Sequence, residues 1–364
     1  MLWHASNIME LTPAVWYDMN DAHQKLIHAV IRKAERLCPD SLSLIGVYGS
    51  CATGDTHEKS DLDLLILIND DRGYCLSDTF ILDDEGIGYD LYCTRWDMLE
   101  RDAACEHARL AKLLDSAIVY VKDPSAVRRL EGLRGKAISL LGSEARVPKA
   151  MALWEKAKAS YADCILTDSL SRARMYAGAA IYDVLDAWML YNGRYFRKGV
   201  KRTFEEIREL DLPFSAEALV SAVIRTQTTE ELRAALTELM AAARLDPTPA
   251  REKAQPTPDN LTGTYEEMYS NWRNKMWEAA DRGDLFSSFT NAVSCQCMLA
   301  DMADGLEMDI PDMLGEFDPQ DLQKNAHLFD RGLEQYALAY REAGIEPTHF
   351  ADADAFIAAY LGKH

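Results

Sequence analysis

The sequence predicts an α+β chain in which a small mixed β-sheet near the start is followed by a larger all-helical region. Three observations carry that expectation. Short runs dense in Leu, Ile and Val, bounded by Gly, Ser, Asp and Thr, recur as far as Val121. From about Ser125 the apolar residues switch to helical spacing. Four prolines, Pro247, Pro249, Pro256 and Pro258, then break the pattern before it resumes. These divisions imply a sheet domain over residues 1–124, a helical domain over 125–245, a linker over 246–262 and a second helical module over 263–364.

The elements follow in order. From Asn20 to Cys38, Leu26, Ile27, Val30, Ile31 and Leu37 recur at helical spacing, so an amphipathic helix leads into the first strand. Leu44–Tyr48 and Leu62–Ile68 are too short and too apolar for ordinary helices and read as neighbouring buried strands. A loop through Gly73 precedes a weak strand at Thr79–Leu82, another strand over Ile87–Cys93, a helix from about Arg95 to Leu113 and a strand at Ala117–Val121. Asp123-Pro124 closes that run, since proline both ends a strand and can begin a helix. Helices are expected at Met151–Leu166 and Ser171–Leu190, the second stopped by Asn192-Gly193, and later at Leu328–Ala343 and Asp352–Leu361. Trp277-Glu278 echoes Trp154-Glu155 with an Ala-rich helix after each, which would make the second module a duplicate of the first.

The chemistry concentrates between Leu44 and Ile68. Side chains alternate along a strand, so Asp61 and Asp63 project from one face while Leu62 and Leu64 enter the core. Two carboxylates so placed form part of a magnesium shell, which takes hard oxygen ligands at about 2.0–2.1 Å and leaves room for phosphate. Gly49 lets a phosphate approach the backbone, and Ser50 offers an amide and a hydroxyl. Asp90 sits inside an apolar and aromatic run, where a carboxylate is costly unless partnered. If its strand lies beside that of Asp61 and Asp63, the three acids converge and require cations. Such a triad suits an in-line phosphoryl displacement clamped by metals roughly 3.5–4 Å apart. Against this stands an ordinary turn capped by Asp61 and Asp63.

Composition narrows the partners. The 364 residues are 48% hydrophobic and 27% charged, enough for a sizeable globular core. A formal charge of −20 with no clustered Lys and Arg disfavours nucleic acid and is compatible with a polycationic ligand. No apolar run approaches the ~20 residues of a membrane span, and the first residues lack the pattern of a signal peptide, so no membrane partner and a cytoplasmic location are expected. The eight cysteines are scattered in apolar patterns, which suits reduced buried thiols, and Cys295-Gln296-Cys297 has no second cluster at zinc spacing. Tyr176, Tyr182, Trp188, Tyr191 and Tyr195 read as core packing or as the wall of a pocket.

Gly49-Ser50, ten intervening residues, Asp61-Leu62-Asp63 and then Asp90 on a later strand resemble the polymerase-beta-type nucleotidyltransferase superfamily, and within it the antibiotic (aminoglycoside) nucleotidyltransferases of kanamycin type. The resemblance covers roughly residues 25–125 and, more loosely, the helices that follow. It implies that Asp61 and Asp63 bind Mg2+ together with a nucleoside triphosphate such as ATP, that Asp90 is the third acid, and that Gly49 and Ser50 hold phosphate. Ser60, just before the acids, also matches. Kanamycin-type enzymes carry an arginine in the turn where this chain has Thr53, so the triphosphate charge must be met elsewhere, with Lys59 and Arg95 as candidates. A general base and a phosphate contact lie on the first helix of the C-terminal part of those enzymes, four residues apart; Glu155 and Lys158, three apart, are the nearest matches here, and an i,i+3 surface pair is the alternative. The duplicated Glu278, with Lys275, is a second candidate for that chemistry. The implied reaction moves AMP to a hydroxyl of a small-molecule acceptor such as an aminoglycoside and releases pyrophosphate. The family's dimers share a site, so either a homodimer or the duplicated module is expected. Two further readings stay open: a protein nucleotidyltransferase like small antitoxin relatives, and a non-catalytic nucleotide-binding module.

Overall fold

A computed structural model of the chain describes residues 19–54, 61–82, 86–245 and 253–361. They fall into two compact units, Met1–Pro247 and Thr248–His364.

In the first unit, Asn20 caps helix α1 (Asp21–Leu37) by accepting the His23 amide, and His23, Ile27, Val30 and Ala34 form its buried stripe. Strand β1 (Leu42–Val47) follows, then a one-turn helix α2 (Gly49–Thr53) and strand β2 (Leu64–Ile68). Every residue of both strands is buried, because the sheet is covered on both faces. Leu44, Leu65 and Leu67 face one core with the later helices, whereas Ile45, Val47, Leu64 and Ile66 face the other with Ile27 and Val30 of α1. The alternation expected along the strands is therefore present, with apolar residues on both sides.

Strands β3 (Asp78–Leu82) and β4 (Ile87–Leu91) form a separate antiparallel ribbon, and the short β5 (Cys93–Arg95) continues the chain beside β2. The helix expected from Arg95 to Leu113 is two pieces, α3 (Trp96–Ala103) and α4 (Ala111–Leu114). The break is held from outside: the Ala108 amide donates to buried Asp186 and the Ala108 carbonyl accepts from the Phe196 amide. Cys105 reaches φ 51°, a conformation costly for a side-chain-bearing residue. Strand β6 (Ala117–Val121) completes a four-stranded sheet in the order β5-β2-β1-β6, with β2–β5 parallel and the other pairs antiparallel.

Asp123 caps helix α5 (Pro124–Leu141), with proline in the first turn as expected. Helices α6 (Arg146–Leu166) and α7 (Leu170–Tyr191) pack against each other. Ala173, Ala177 and Ala180 let the α7 backbone approach closely. Short α8 (Thr203–Ile207) and helices α9 (Ala216–Arg225) and α10 (Thr229–Ala242) finish the unit. The sheet and these helices share one apolar cluster from Leu44 to Leu245, so the boundary expected at residue 124 divides elements of a single unit.

The second unit is helical. Residues 253–262, expected as linker, belong to it: the Ala254 amide donates to Gly305 and its carbonyl accepts from Glu307, and Leu261 of α11 (Pro258–Leu261) is fully buried. Helix α12 (Thr264–Met268) runs through a π-turn at Tyr269–Arg273 into α13 (Asn274–Arg282), followed by α14 (Leu285–Gly305), α15 (Leu322–Glu342) and α16 (Ala353–Leu361). Phe329, Leu333, Tyr336 and Tyr340 of α15 form its centre. Among the described residues, no helix is long and apolar enough to cross a membrane.

Candidate active site

The chain leaves β1 at Val47 and the Tyr48 amide donates to the Asp63 carbonyl at 3.1 Å, extending the β1–β2 ladder to the edge of the candidate site. Gly49 then turns the chain with φ +66°, and a Cβ there would collide with the Asp63 carboxylate, 2.8 Å from its Cγ. Only glycine permits both that backbone and that approach. Thr53 Oγ1 donates to the Gly49 carbonyl at 3.1 Å, and Gly54, also left-handed, ends the turn. Cys51 contacts the Asp61 carbonyl through Sγ at 3.7 Å and His23 Nδ1 at 3.8 Å, linking the turn to the acids and to α1.

Asp61 is exposed, Leu62 is buried and Asp63 is half-buried. Burial, and then the charge of Asp61, push the Asp63 carboxyl up to about 6. The two acids are thus electrostatically coupled. Burial also pushes the Tyr48 phenol up, and the charges of Asp63, Asp61, Asp102 and Asp90 add to it in that order, so all four carboxylates act on one ring.

Asp90 is exposed on β4, and Thr79 Oγ1 donates to its Oδ1 at 3.3 Å across the ribbon. The ribbon lies outside the four-stranded sheet, so β4 is not the hydrogen-bonded neighbour of β2 that convergence required. It leads into β5, whose parallel register with β2 pairs Ile66 with Cys93. Among the described residues, no three His, Cys, Asp or Glu side chains are gathered closely enough to hold a metal ion. Asp61 and Asp63, two hard oxygen donors of which one charge acts on the other, are the residues that could hold a divalent cation.

Other candidates lie elsewhere. Arg95 is at the far end of β2, paired with Ile68, and its guanidinium is held by Asp71 at 2.6 Å and Asp97 at 3.0 Å. Those carboxylates satisfy it where it stands. Glu155 and Lys158 bind each other at 2.7 Å on an exposed face of α6, the i,i+3 pair weighed as the alternative, and neither lines the cavities described below. Glu278 likewise pairs with Arg282 at 2.9 Å on an exposed face. Trp154 is buried, whereas Trp277 donates to Asp330 at 3.1 Å, so the two echoed Trp-Glu pairs differ in surroundings. Lys59 and Ser60 lie outside the described residues. Of the aromatic set, Trp188 is core, Tyr182 stacks on Arg109, and the Tyr195 hydroxyl donates to Asp115 at 2.9 Å.

Two cavities adjoin the Tyr48–Thr53 turn. One of about 770 Å³ is lined by Ala52, Thr53, Asp115, Arg194, Tyr195 and Lys198 among others. A smaller one of about 290 Å³ takes in Tyr48, Asp102, His107, Arg109, Lys112 and again Lys198. Sequence reasoning missed these cations; the signal that could have found them is Arg194-Tyr195-Phe196-Arg197-Lys198, three basic residues in five directly after the helix stop.

Comparison with known proteins bears on the same stretch. No curated protein matches the chain. A solved nucleotidyltransferase-like protein from Exiguobacterium sibiricum 255-15 aligns over 89% of this chain and 92% of its own, with 13% identity and a TM-score of 0.36. Residues 30–146 match the family model described as nucleotidyltransferase domain, a domain of nucleotidyl transfer, and the matched stretch includes Gly49, Ser50, Asp61, Asp63 and Asp90.

Proposed function

We propose that the protein transfers a nucleoside monophosphate, AMP from ATP, to a hydroxyl of a small-molecule acceptor and releases pyrophosphate. The observation that carries this reading is the close packing of the Gly49 turn against Asp63, with Asp61 charge-coupled to it, inside the stretch that matches nucleotidyltransferase domains. Asp61 and Asp63 would hold a divalent cation such as Mg2+, which when bound neutralises phosphate charge during in-line displacement. The turn's backbone, opened by Gly49, lets phosphate oxygens approach the amides and the Ser50 hydroxyl. Asp90, exposed and engaged by Thr79 through one oxygen, would complete the metal site or help to deprotonate the acceptor. Positioning and charge compensation would supply most of the rate.

The acceptor class rests on the kanamycin-type resemblance and on the net charge of −20, which favours polycations such as aminoglycosides over polyanions. Incubation with magnesium, labelled ATP and an aminoglycoside panel tests the reading. Pyrophosphate release should fall at least about a hundredfold in Asp61→Asn and Asp63→Asn, since removing one electrostatic stabiliser of the transition state typically costs that much. Unchanged release in both variants would reject the site. Labelled protein bands in a lysate would point to a protein acceptor, and ATP binding without turnover on any acceptor would point to a binding module.

A further inference from the structure

A nucleoside triphosphate brings about four negative charges to a turn that contains no cation: Gly49, Ser50, Cys51, Ala52 and Thr53 are all uncharged. Arg95 is held by two carboxylates at the other end of β2. Of the cations that line the two cavities, Arg109 and Lys112 face the buried carboxylates of Asp186 at 3.4 Å and Asp102 at 3.7 Å, and Arg194, Arg197 and Lys198 come from the segment after α7. Lys198 borders both cavities that adjoin the turn, the larger beside Ala52 and Thr53 and the smaller beside Tyr48.

The segment is anchored on all sides. Phe196 is buried and its amide donates to Ala108 at 2.8 Å, while the Tyr195 hydroxyl donates to Asp115. Glu206, 7% exposed, accepts the amides of Arg197 at 2.9 Å and Lys198 at 3.2 Å with its two carboxylate oxygens. A buried carboxylate spent on two consecutive backbone amides fixes where the Lys198 side chain begins. The ammonium, by contrast, is loosely held. Its partner Glu205 lies at 3.6 Å, both side chains are over a third exposed, and Glu205 already binds Arg202 at 2.6 Å. Such an exposed pair is worth little, so Lys198 can turn to a phosphate without leaving an unpaired carboxylate behind.

We propose that Lys198, positioned by the Glu206 clamp, binds the β- and γ-phosphates of the nucleotide substrate and supplies the charge that the turn lacks. This rests on the nucleotidyl-transfer reading above and adds the residue that selects a triphosphate over a monophosphate.

Calorimetric titration of the full chain with ATP and with AMP, in magnesium and without acceptor, tests it. Lys198→Gln should weaken ATP binding about ten- to a hundredfold, as expected for a lost charge-assisted contact, and change AMP binding less than about twofold. Lys198→Arg should restore most of the ATP affinity. Glu206→Gln should weaken ATP partially, and Lys201→Gln, outside both cavities, should behave as wild type. Equal ATP affinity in wild type and Lys198→Gln, or equal losses for ATP and AMP, overturns the assignment while leaving nucleotidyl transfer standing. Absence of ATP binding by the wild-type protein overturns both.

Discussion

At the scale of single residues, the site depends on a glycine as much as on its acids. Gly49 combines a left-handed backbone with a carboxylate where its Cβ would be, whereas Gly54 has the same backbone, φ +72°, and open space. The two substitutions therefore separate strain from function. Gly49→Ala and Gly54→Ala should each lose about 1–2 kcal/mol in denaturant unfolding, the cost of forcing a side chain into that region. Only Gly49→Ala should also abolish pyrophosphate release, because Asp63 must move. Equal activity in the two variants would show that the approach of the turn to Asp63 is incidental. Asp63 shares one charged neighbourhood with Tyr48, where burial and then the charge of Asp61 raise the Asp63 carboxyl, and burial and then both carboxylates raise the Tyr48 phenol.

At the scale of elements, what positions the site is the closure of β1 on β2. Their far end is locked by Asp70, which caps the 3-10 helix Asp71–Leu76 through the Arg72 amide and accepts the Ser41 hydroxyl at 2.8 Å from the residue before β1. The Arg72 side chain, then Ser41, hold the Asp70 carboxyl well below the usual carboxylate range. An acid whose folded pKa is lowered stabilises the fold above its unfolded pKa of about 4, and that contribution disappears as pH falls through the lower folded value. Asp70→Asn should thus lower Tm by about one or two degrees at pH 7, in keeping with an exposed pair, and the gap to wild type should narrow progressively as pH falls below about 4. A gap independent of pH would assign the effect to capping geometry alone.

At the scale of the molecule, each unit has its own apolar residues: in the first, two clusters between Met19 and Leu245 are joined by the sheet that both pack on, and in the second one cluster runs from Leu261 to Tyr340. Units with their own cores unfold as units, so calorimetry of the whole chain should resolve two transitions. Tyr336 is fully buried and shares a hydrogen bond of 2.6 Å with Thr264. Tyr336→Ala should destabilise one transition by about 3–5 kcal/mol and leave the other in place, as for other large-to-small changes of a buried aromatic. A single transition that shifts as a whole would show that the units unfold together.

The sequence by itself determined the elements that local chemistry specifies. The apolar runs of β1, β2 and β6, the helical stripe that follows Asn20, Pro124 at the head of α5 and the Asn192-Gly193 stop after α7 were all legible, because each depends on periodicity or on a residue's own backbone preference. So was the spacing of Gly49, Ser50, Asp61 and Asp63, since a turn between paired strands is short-range. Only the tertiary structure decided that Arg95 is held at the far end of β2, that Glu155 pairs with Lys158 at the surface, that the helix after β5 breaks near Cys105, and that Lys198 lines the cavities that the turn also lines. Those outcomes depend on which charges meet across distant segments. Charge pairing and cavity shape are set by packing among residues far apart in the chain, and no local pattern encodes them.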